Sequence, residues 1–285
     1  MPHAQNPQAD ALLDKEFSVL DRGFVRLVDY MGGDDAIVQA ARVSYGEGTK
    51  RIQEDRGLIR YLMRHRHTTP FEMVEFKFHV KLPIFVARQW IRHRSANVNE
   101  YSGRYSVMKE EFYVPPEEEV QKQSKSNKQG RSGELPAELR GKFLEYLNSS
   151  QKESYEHYAE FIESGVAREL ARIGLPLSLY TEWYWKIDLH NLFHFLKLRM
   201  DLHAQKEIRD YAIVMGDIVR AVTPLAYEAF EDYSLNALSF TGPELAIMKE
   251  QLAEVMTDPE LLVKSGLSKR EAGELIDKLN QVRGK

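Results

Sequence analysis

Arg88–Tyr105 reads RQWIRHRSANVNEYSGRY. It sets Arg88, Arg92, His93, Arg94 and Arg104 against one acid, Glu100, in a chain whose formal net charge is −4. Ser95–Asn99 is largely small and polar, and Ser102-Gly103 has the composition of a turn, where backbone N–H groups stay free. Guanidinium forks bind oxyanions with two donors at once, and loop amides add further donors. Two readings fit with equal weight: a phosphate-holding loop at the end of a helix, or an ordinary solvated basic helix end. A short motif alone does not separate them.

The flank on the N-terminal side decides the fold class. In Val74–Leu82, the apolar residues Val74, Phe76, Phe78, Val80 and Leu82 alternate with Glu75, Lys77, His79 and Lys81, the pattern of a half-buried antiparallel strand. Pro83 stands where a helix begins, and Ile84–His93 continues as helix with Phe85, Val86 and Trp90 toward the core. Gln89, Arg88 and Arg92 then share neighbouring faces near its C-terminus, where the macrodipole favours cations on structural grounds alone. Phe24–Met31 is a second strand closed by Gly32-Gly33, and Asp34 or Asp35 can cap a helix through Ala36–Val43. A short helix covers Leu58–Arg64. His65 and His67 have the i, i+2 spacing of a metal pair on a strand, but no third ligand lies nearby, so a loop of hydrogen-bonding residues is favoured.

On the C-terminal side, Pro115–Pro136 is low in apolar residues and reads as a solvated, mobile insertion. Ala137–Glu163 is helical, with Leu139, Phe143, Tyr146, Leu147, Tyr155, Tyr158 and Ile162 on recurring faces. Leu179–Ile187 (LYTEWYWKI) is an aromatic-rich strand. Asp188 can cap a helix from Leu189 to about His203, with Leu192, Phe195, Leu196 and Leu198 inward. His190 and His194 lie one turn apart, but Asn191 stands where a zinc-protease helix needs Glu, so that reading fails. Gln205–Arg220 is amphipathic, with Ile208, Tyr211, Ala212, Met215 and Ile218 inward. Beyond Tyr233 the chain is a helical tail, and Ser268–Glu271 fits a capping box.

The chain has 285 residues, 39 basic and 43 acidic, and 43% hydrophobic residues, an ordinary globular composition. The near balance of charge argues against general affinity for nucleic acid or membrane. No run is long enough to span a bilayer and no signal-peptide pattern opens the chain, so the cytoplasm is the expected location. There is no cysteine, which excludes thiolate nucleophiles and Cys-ligated metals. P-loop, dinucleotide-fold and serine-elbow motifs are absent. Arg172 and Arg199 each end an apolar stretch, where a guanidinium requires an anion or a wet cleft. Trp90, Tyr101 and Tyr105 suit stacking on a flat heterocycle.

Arg92-His93-Arg94, seven residues and Ser102 resemble the RHR-x₇-S signature of the flavin-dependent thymidylate synthases. AARVSY at Ala40–Tyr45, HTTPFEM at His67–Met73 and FHVKLPIFVARQWIRHR at Phe78–Arg94 resemble the same family. So do ARELARIGLPLSLYT at Ala167–Thr181 and FLKLRMDLHAQKEI at Phe195–Ile208, and the likeness runs in order from about Phe24 to Tyr233. The resemblance implies an α+β fold, an antiparallel sheet with flanking helices in a single domain spanning residues 1–285. Its core is 24–233, with a tail at 1–16, the insertion at 115–136 and an accessory helical tail at 234–285. It implies a homotetramer with FAD and nucleotide sites at subunit interfaces. It further implies reductive methylation of dUMP to dTMP, with methylenetetrahydrofolate as carbon donor and NADPH as reductant by way of FAD. The missing cysteine agrees, because the other class of thymidylate synthase attacks uracil with a thiolate.

Carried over by resemblance, the flavin contacts are Ser44, His67, Thr69, Glu72, Arg92, His93, Arg94, Glu100, Asp188, His190, His194 and His203. The dUMP contacts are Gln89, Trp90, Ile91, Arg92, Glu100, Tyr101, Ser102, Gly103, Arg104, Tyr105, Arg172 and Arg199. Arg199 is the catalytic position, credited with favouring ionised N3 of the uracil. No metal is implied. The chain departs from the family where N-x-R-S-L is usual: it has Asp188-Leu189-His190-Asn191-Leu192, and His190 replaces an arginine with shorter reach. The alternative reading is a flavin- or nucleotide-binding homologue without methylation. A nucleic-acid module is a third reading, disfavoured by the charge balance.

Overall fold

The computed structural model describes residues 6–43, 52–252 and 258–283. Seven strands follow in chain order: β1 (Glu16–Val19), β2 (Gly23–Met31), β3 (Glu75–Pro83), β4 (Asn97–Glu100), β5 (Gln121–Gln123), β6 (Arg131–Glu134) and β7 (Tyr180–Asp188). Five of them form one antiparallel sheet in the order β1-β2-β3-β7-β4. The alternating β3 is the central strand, paired along its whole length with β7 from Glu75↔Asp188 to Pro83↔Tyr180. Phe76, Phe78, Val80 and Leu82 are fully buried, and Trp183, Trp185 and Ile187 of β7 bury the same face. The helices Ile84–Trp90, Leu189–Arg199 and Lys206–Val222 contribute Trp90, Phe195, Ile208, Tyr211, Met215 and Ile218 to that core. The other face is polar. Arg26 meets Nδ1 of His79 at 2.9 Å, Nε2 of His79 meets Glu182 at 3.2 Å, and Lys186 donates to Glu75 at 2.8 Å. The fold is therefore α+β, with an antiparallel sheet covered by helices.

Some local expectations shift. Asp34 and Asp35 lie inside the helix Asp34–Arg42, whose N-cap is Gly33 with no side-chain hydrogen bond. Asp34 instead caps a different helix: its carboxylate accepts from the backbone N–H of Leu225 at 2.8 Å and of Ala226 at 2.9 Å, at the start of Pro224–Phe230. Burial pushes this carboxyl up to about 6 against the pull of those two donors. Asp34→Ala leaves both donors without an acceptor, and urea unfolding should report a loss of about 1–2 kcal/mol.

The helix after Asp188 ends at Arg199 rather than near His203, and Leu198, expected inward, lies on its exposed face. Leu139, Phe143 and Tyr146 of the helix Ala137–Glu163 are also exposed, while Tyr158 is buried. The segment 115–136, expected to be solvated and mobile, is folded into the β5–β6 hairpin and tied down. Arg131 pairs with Glu119 at 3.0 Å and with the buried Glu207 at 2.7 Å, and Asn127 donates to the carbonyl of His203 at 3.2 Å. A cation and a buried carboxylate 76 residues apart in sequence have no local signature.

The chain divides into two compact units, Met1–Leu235 and Asn236–Lys285. In the second, the helices Gly242–Leu252, Pro259–Lys264 and Lys269–Arg283 pack together, and the last carries the expected capping box. Ser268 Oγ accepts from the N–H of Glu271 at 3.2 Å, and Glu271 accepts from the N–H of Ser268 at 2.9 Å. Among the described residues, no helix is long and apolar enough to cross a membrane.

Candidate active site

The two helices that cover the sheet at β3 and β7 end side by side, and their C-terminal residues meet. Nε of Arg199, the last residue of Leu189–Arg199, donates to Nε2 of His93 at 3.0 Å. The His93 ring stands edge-on to Phe195 at 4.9 Å, with the His194 ring 5.9 Å away. Burial, and then the charges of Arg199 and His194, lower His93 to about 4. At neutral pH its imidazole is uncharged, and Nε2 has the lone pair that Arg199 requires. Burial alone lowers Arg199, and no carboxylate pairs with it among the described residues. Its terminal nitrogens thus form a half-buried fork able to receive an anion.

This arrangement has a sign that can be measured. Because folding lowers His93 from its ordinary 6.5 to about 4, the unfolded chain binds the extra proton first as pH falls. The contribution to stability is complete above pH 6.5 and is lost as pH falls through 6.5 toward 4. His93→Gln retains a neutral acceptor and removes the titration. Unfolding free energy measured from pH 7 to pH 4 should fall less steeply in that variant.

The second group lies around the loop after β4. Glu100 accepts from Thr181 Oγ1 at 2.8 Å, which ties the end of β4 to β7. Ser102 turns the chain: its carbonyl accepts from the N–H groups of Tyr105 and Ser106, each at 3.1 Å, and its hydroxyl accepts from that of Arg104 at 3.3 Å. Gly103 is buried against the Arg172 side chain, and a Cβ there would lie 2.8 Å from Met108 Sδ and 3.2 Å from Arg172 Cδ. Arg168 donates to the carbonyl of Tyr105 at 2.9 Å. Together these contacts bring Ser102–Tyr105 and the turn Arg172–Gly174 into one cluster with Arg172 exposed. Arg104 and Glu169 are 3.6 Å apart and mostly exposed, a pair of little energetic weight.

The remaining expected residues divide clearly. Arg92 and Arg94 are exposed beyond the end of the helix Ile84–Trp90, with no carboxylate on either among the described residues. Trp90, Ile91, His93, Arg94, Ala96, Val98, Trp183 and Trp185 border a cleft of about 300 Å³. His67, Thr69 and Glu72 are exposed on and beside the turn Thr69–Met73, and the His67 ring packs 5.7 Å from Tyr61. His65 and His67 point outward, and no group of metal-ligating side chains occurs among the described residues. His203 is exposed and binds Asp201 at 2.9 Å. Ser44 lies outside the described residues.

One expectation requires correction, and two other expected residues have structural contacts as well. Trp90, expected to stack on a heterocycle, has no exposed surface and is instead packed in the core, ringed by Trp183, Trp185, Phe195 and Tyr211. The Asp188 carboxylate caps its helix, accepting from the N–H of Asn191 at 2.9 Å and from Asn191 Nδ2 at 2.7 Å, so the departure at 188–191 serves the cap. Tyr101 donates to the carbonyl of Val107 at 2.8 Å and braces the loop. The sequence reading also missed Gln205, Glu207 and Arg131. Gln89 donates to Gln205, and Gln205 donates to Glu207 at 2.8 Å, which puts a buried carboxylate two side chains from Gln89.

Known proteins carry the same framework. The sequence profile of the thymidylate synthase complementing protein family matches residues 26–225. A flavin-dependent thymidylate synthase of Treponema denticola is 60% identical over 242 residues, which cover 85% of this chain and 91% of that protein. The chain belongs to the flavin-dependent thymidylate synthase family. The Wolbachia pipientis flavin-dependent thymidylate synthase is 56% identical over 275 residues, with 96% and 95% covered. A crystal structure of the UMP/dUMP methylase PolB from Streptomyces cacaoi, bound with 5-Br dUMP, superposes with a TM-score of 0.70. It is 33% identical and covers 77% of this chain and 99% of its own. Like other flavin-dependent thymidylate synthases, the chain is an enzyme, a methyltransferase.

Proposed function

We propose that this enzyme converts dUMP to dTMP by reductive methylation in the cytoplasm, with methylenetetrahydrofolate supplying the carbon and NADPH the electrons through FAD. The observation that carries the reading is the Arg199 fork: a half-buried guanidinium held by a neutral histidine, with no acid paired to it among the described residues. A uracil ring that loses its N3 proton supplies the missing negative charge, and Arg199 stabilises that anion. The donor set also fits a phosphate-bearing flavin, since Arg92 and Arg94, with no carboxylate on either among the described residues, stand beside the His93–Arg199 contact and an aromatic-walled cleft. FAD, when bound, supplies the hydride chemistry that side chains lack. Arg92, His93, Arg94, Glu100, His67, Thr69, Glu72, His194 and His203 would hold it, while Gln89, Ser102, Gly103, Arg104 and Arg172 hold the nucleotide. With no cysteine in the chain, the ring is activated without a thiolate.

Tyr105, Leu170, Ile173 and Leu177 are between 59% and 76% exposed beside Arg172. An apolar rim around a cation cluster is suited to a subunit interface, and it supports a homotetramer with shared sites, whose mass light scattering would read directly. Tritium released from carbon 5 of dUMP, dependent on methylenetetrahydrofolate and NADPH, is the expected result. No release from FAD-replete protein would leave a flavin- and nucleotide-binding homologue without methylation. Gly103→Val adds bulk against Met108 and Arg172, and should raise the KM for dUMP about tenfold, the scale of one distorted phosphate contact, with FAD content unchanged.

A further inference from the structure

Met108 is held by both of its backbone groups. The Tyr158 hydroxyl accepts from its N–H at 2.9 Å, and the Tyr155 hydroxyl donates to its carbonyl at 2.9 Å. Among the described residues neither backbone group has another partner. The two tyrosines stand three residues apart on the helix Ala137–Glu163, so they share a face, and their rings lie 5.7 Å from each other. The Met108 side chain in turn packs against Gly103. A Cβ at that position would meet its Sδ at 2.8 Å and its Cγ at 3.2 Å. Met108, Phe112, Tyr158, Ala171 and Leu179 form a small core of their own, apart from the one beneath the sheet. Ala171 immediately precedes Arg172. The turn Ser102–Tyr105 and Arg172 are therefore seated on the same few residues, whereas His93 packs on Phe195 of the main core.

We infer that Tyr155, Tyr158 and Met108 are positioning residues for the phosphate of dUMP: the long helix grips the backbone at 108, and the Met108 side chain sets the Ser102–Tyr105 turn against Arg172. This inference rests on the reading that the turn and Arg172 hold the nucleotide phosphate. Donors bind a phosphate tightly when they are aligned beforehand, because a misplaced donor forfeits a charge-assisted hydrogen bond. Gly103 leaves no room for a side chain of its own, so the thioether beneath it decides how near the turn comes to the guanidinium. Met108 cannot drift, because two hydroxyls on a 27-residue helix hold the peptide groups on either side of its Cα. The site then stands on two supports. The small core serves the phosphate, and the main core serves the His93–Arg199 contact at the uracil ring.

The test compares binding of dUMP and of deoxyuridine, which has the same base and sugar but no phosphate, to FAD-loaded protein by calorimetry. Tyr155→Phe and Tyr158→Phe each keep a ring in place and remove one hydroxyl. Met108→Ala removes the side chain under Gly103 and leaves both backbone contacts. Each variant should lower the dUMP to deoxyuridine affinity ratio about tenfold, the scale of one weakened hydrogen bond to a charged group. FAD content should stay close to wild type. Met108→Leu keeps the volume and should restore the ratio. A merely structural role would weaken both ligands together and leave the ratio unchanged, which overturns the inference. Arg172→Ala separates the two layers. If Arg172→Ala leaves the ratio unchanged, the cluster does not hold the phosphate and the underlying reading fails. If Arg172→Ala lowers the ratio while Met108→Ala and both tyrosine variants do not, the grip is overturned. Should Tyr158→Phe fail to fold, the half-buried Tyr155→Phe and Met108→Ala decide.

Discussion

Arg199→Ala is expected to lower kcat by on the order of a hundred- to a thousandfold, the usual cost of removing one preorganised donor that stabilises developing charge. The FAD content of the purified protein should fall far less. The reasoning starts from the hydrogen bond between Arg199 Nε and His93 Nε2 at 3.0 Å, which fixes the plane of the guanidinium. With that edge held by a neutral imidazole, the two terminal nitrogens are oriented before any ligand arrives. Among the described residues no acid pairs with the group, which leaves its charge available to a ring anion. Arg199→Lys keeps the charge but cannot serve His93 and the ring at once with a planar fork, so it should recover only part of the lost rate. Single-turnover measurements with FAD-replete variants separate this effect from simple loss of cofactor. If Arg199→Ala loses FAD and turnover in equal proportion, its role is in flavin retention and the assignment to the uracil ring fails.

How far the sequence revealed this site depended on distance along the chain. The alternation Phe76-Phe78-Val80 against Lys77-His79-Lys81 gave the central strand, because a period of two is imposed locally by the sheet. Asp188 and Ser268–Glu271 were legible as caps for the same reason: donor and acceptor lie within three residues. Local signals mislead where a side chain has two uses. Asp34 stands where a helix cap belongs, yet it serves a helix 191 residues away. Arg131 lies in a stretch poor in apolar residues, and composition alone gave no sign that it completes a buried pair with Glu207. The His93–Arg199 contact joins residues 106 apart. Both partners were expected at the site by resemblance, but their hydrogen bond and the neutral state of His93 could come only from the packing of the two helix ends. The resemblance placed Trp90 on the ligand, and the structure places it in the core.

That placement makes Trp90→Ala the most damaging single change to stability, with an expected loss of about 3–5 kcal/mol in urea unfolding. The indole has no exposed surface, and its ring lies 5.7 Å from Trp183, 5.3 Å from Trp185, 4.7 Å from Phe195 and 5.9 Å from Tyr211. Truncation removes the apolar contact and opens a void among four large rings that cannot close together. Trp90→Phe should cost much less. It leaves a smaller void, and it also deletes a buried Nε1–H with no acceptor among the described residues, whose desolvation the native state already bears at about 1–3 kcal/mol. Function should follow packing. Gln89 precedes this ring and His93 follows it by one turn, so a residue buried at position 90 fixes the direction of both polar neighbours. At a temperature where Trp90→Ala remains folded, the variant should bind dUMP more weakly than Trp90→Phe, because only the second keeps a ring packed beneath the site. Equal affinity in the two would show that the site is held by its loops alone and that the aromatic cluster beneath it serves only the fold.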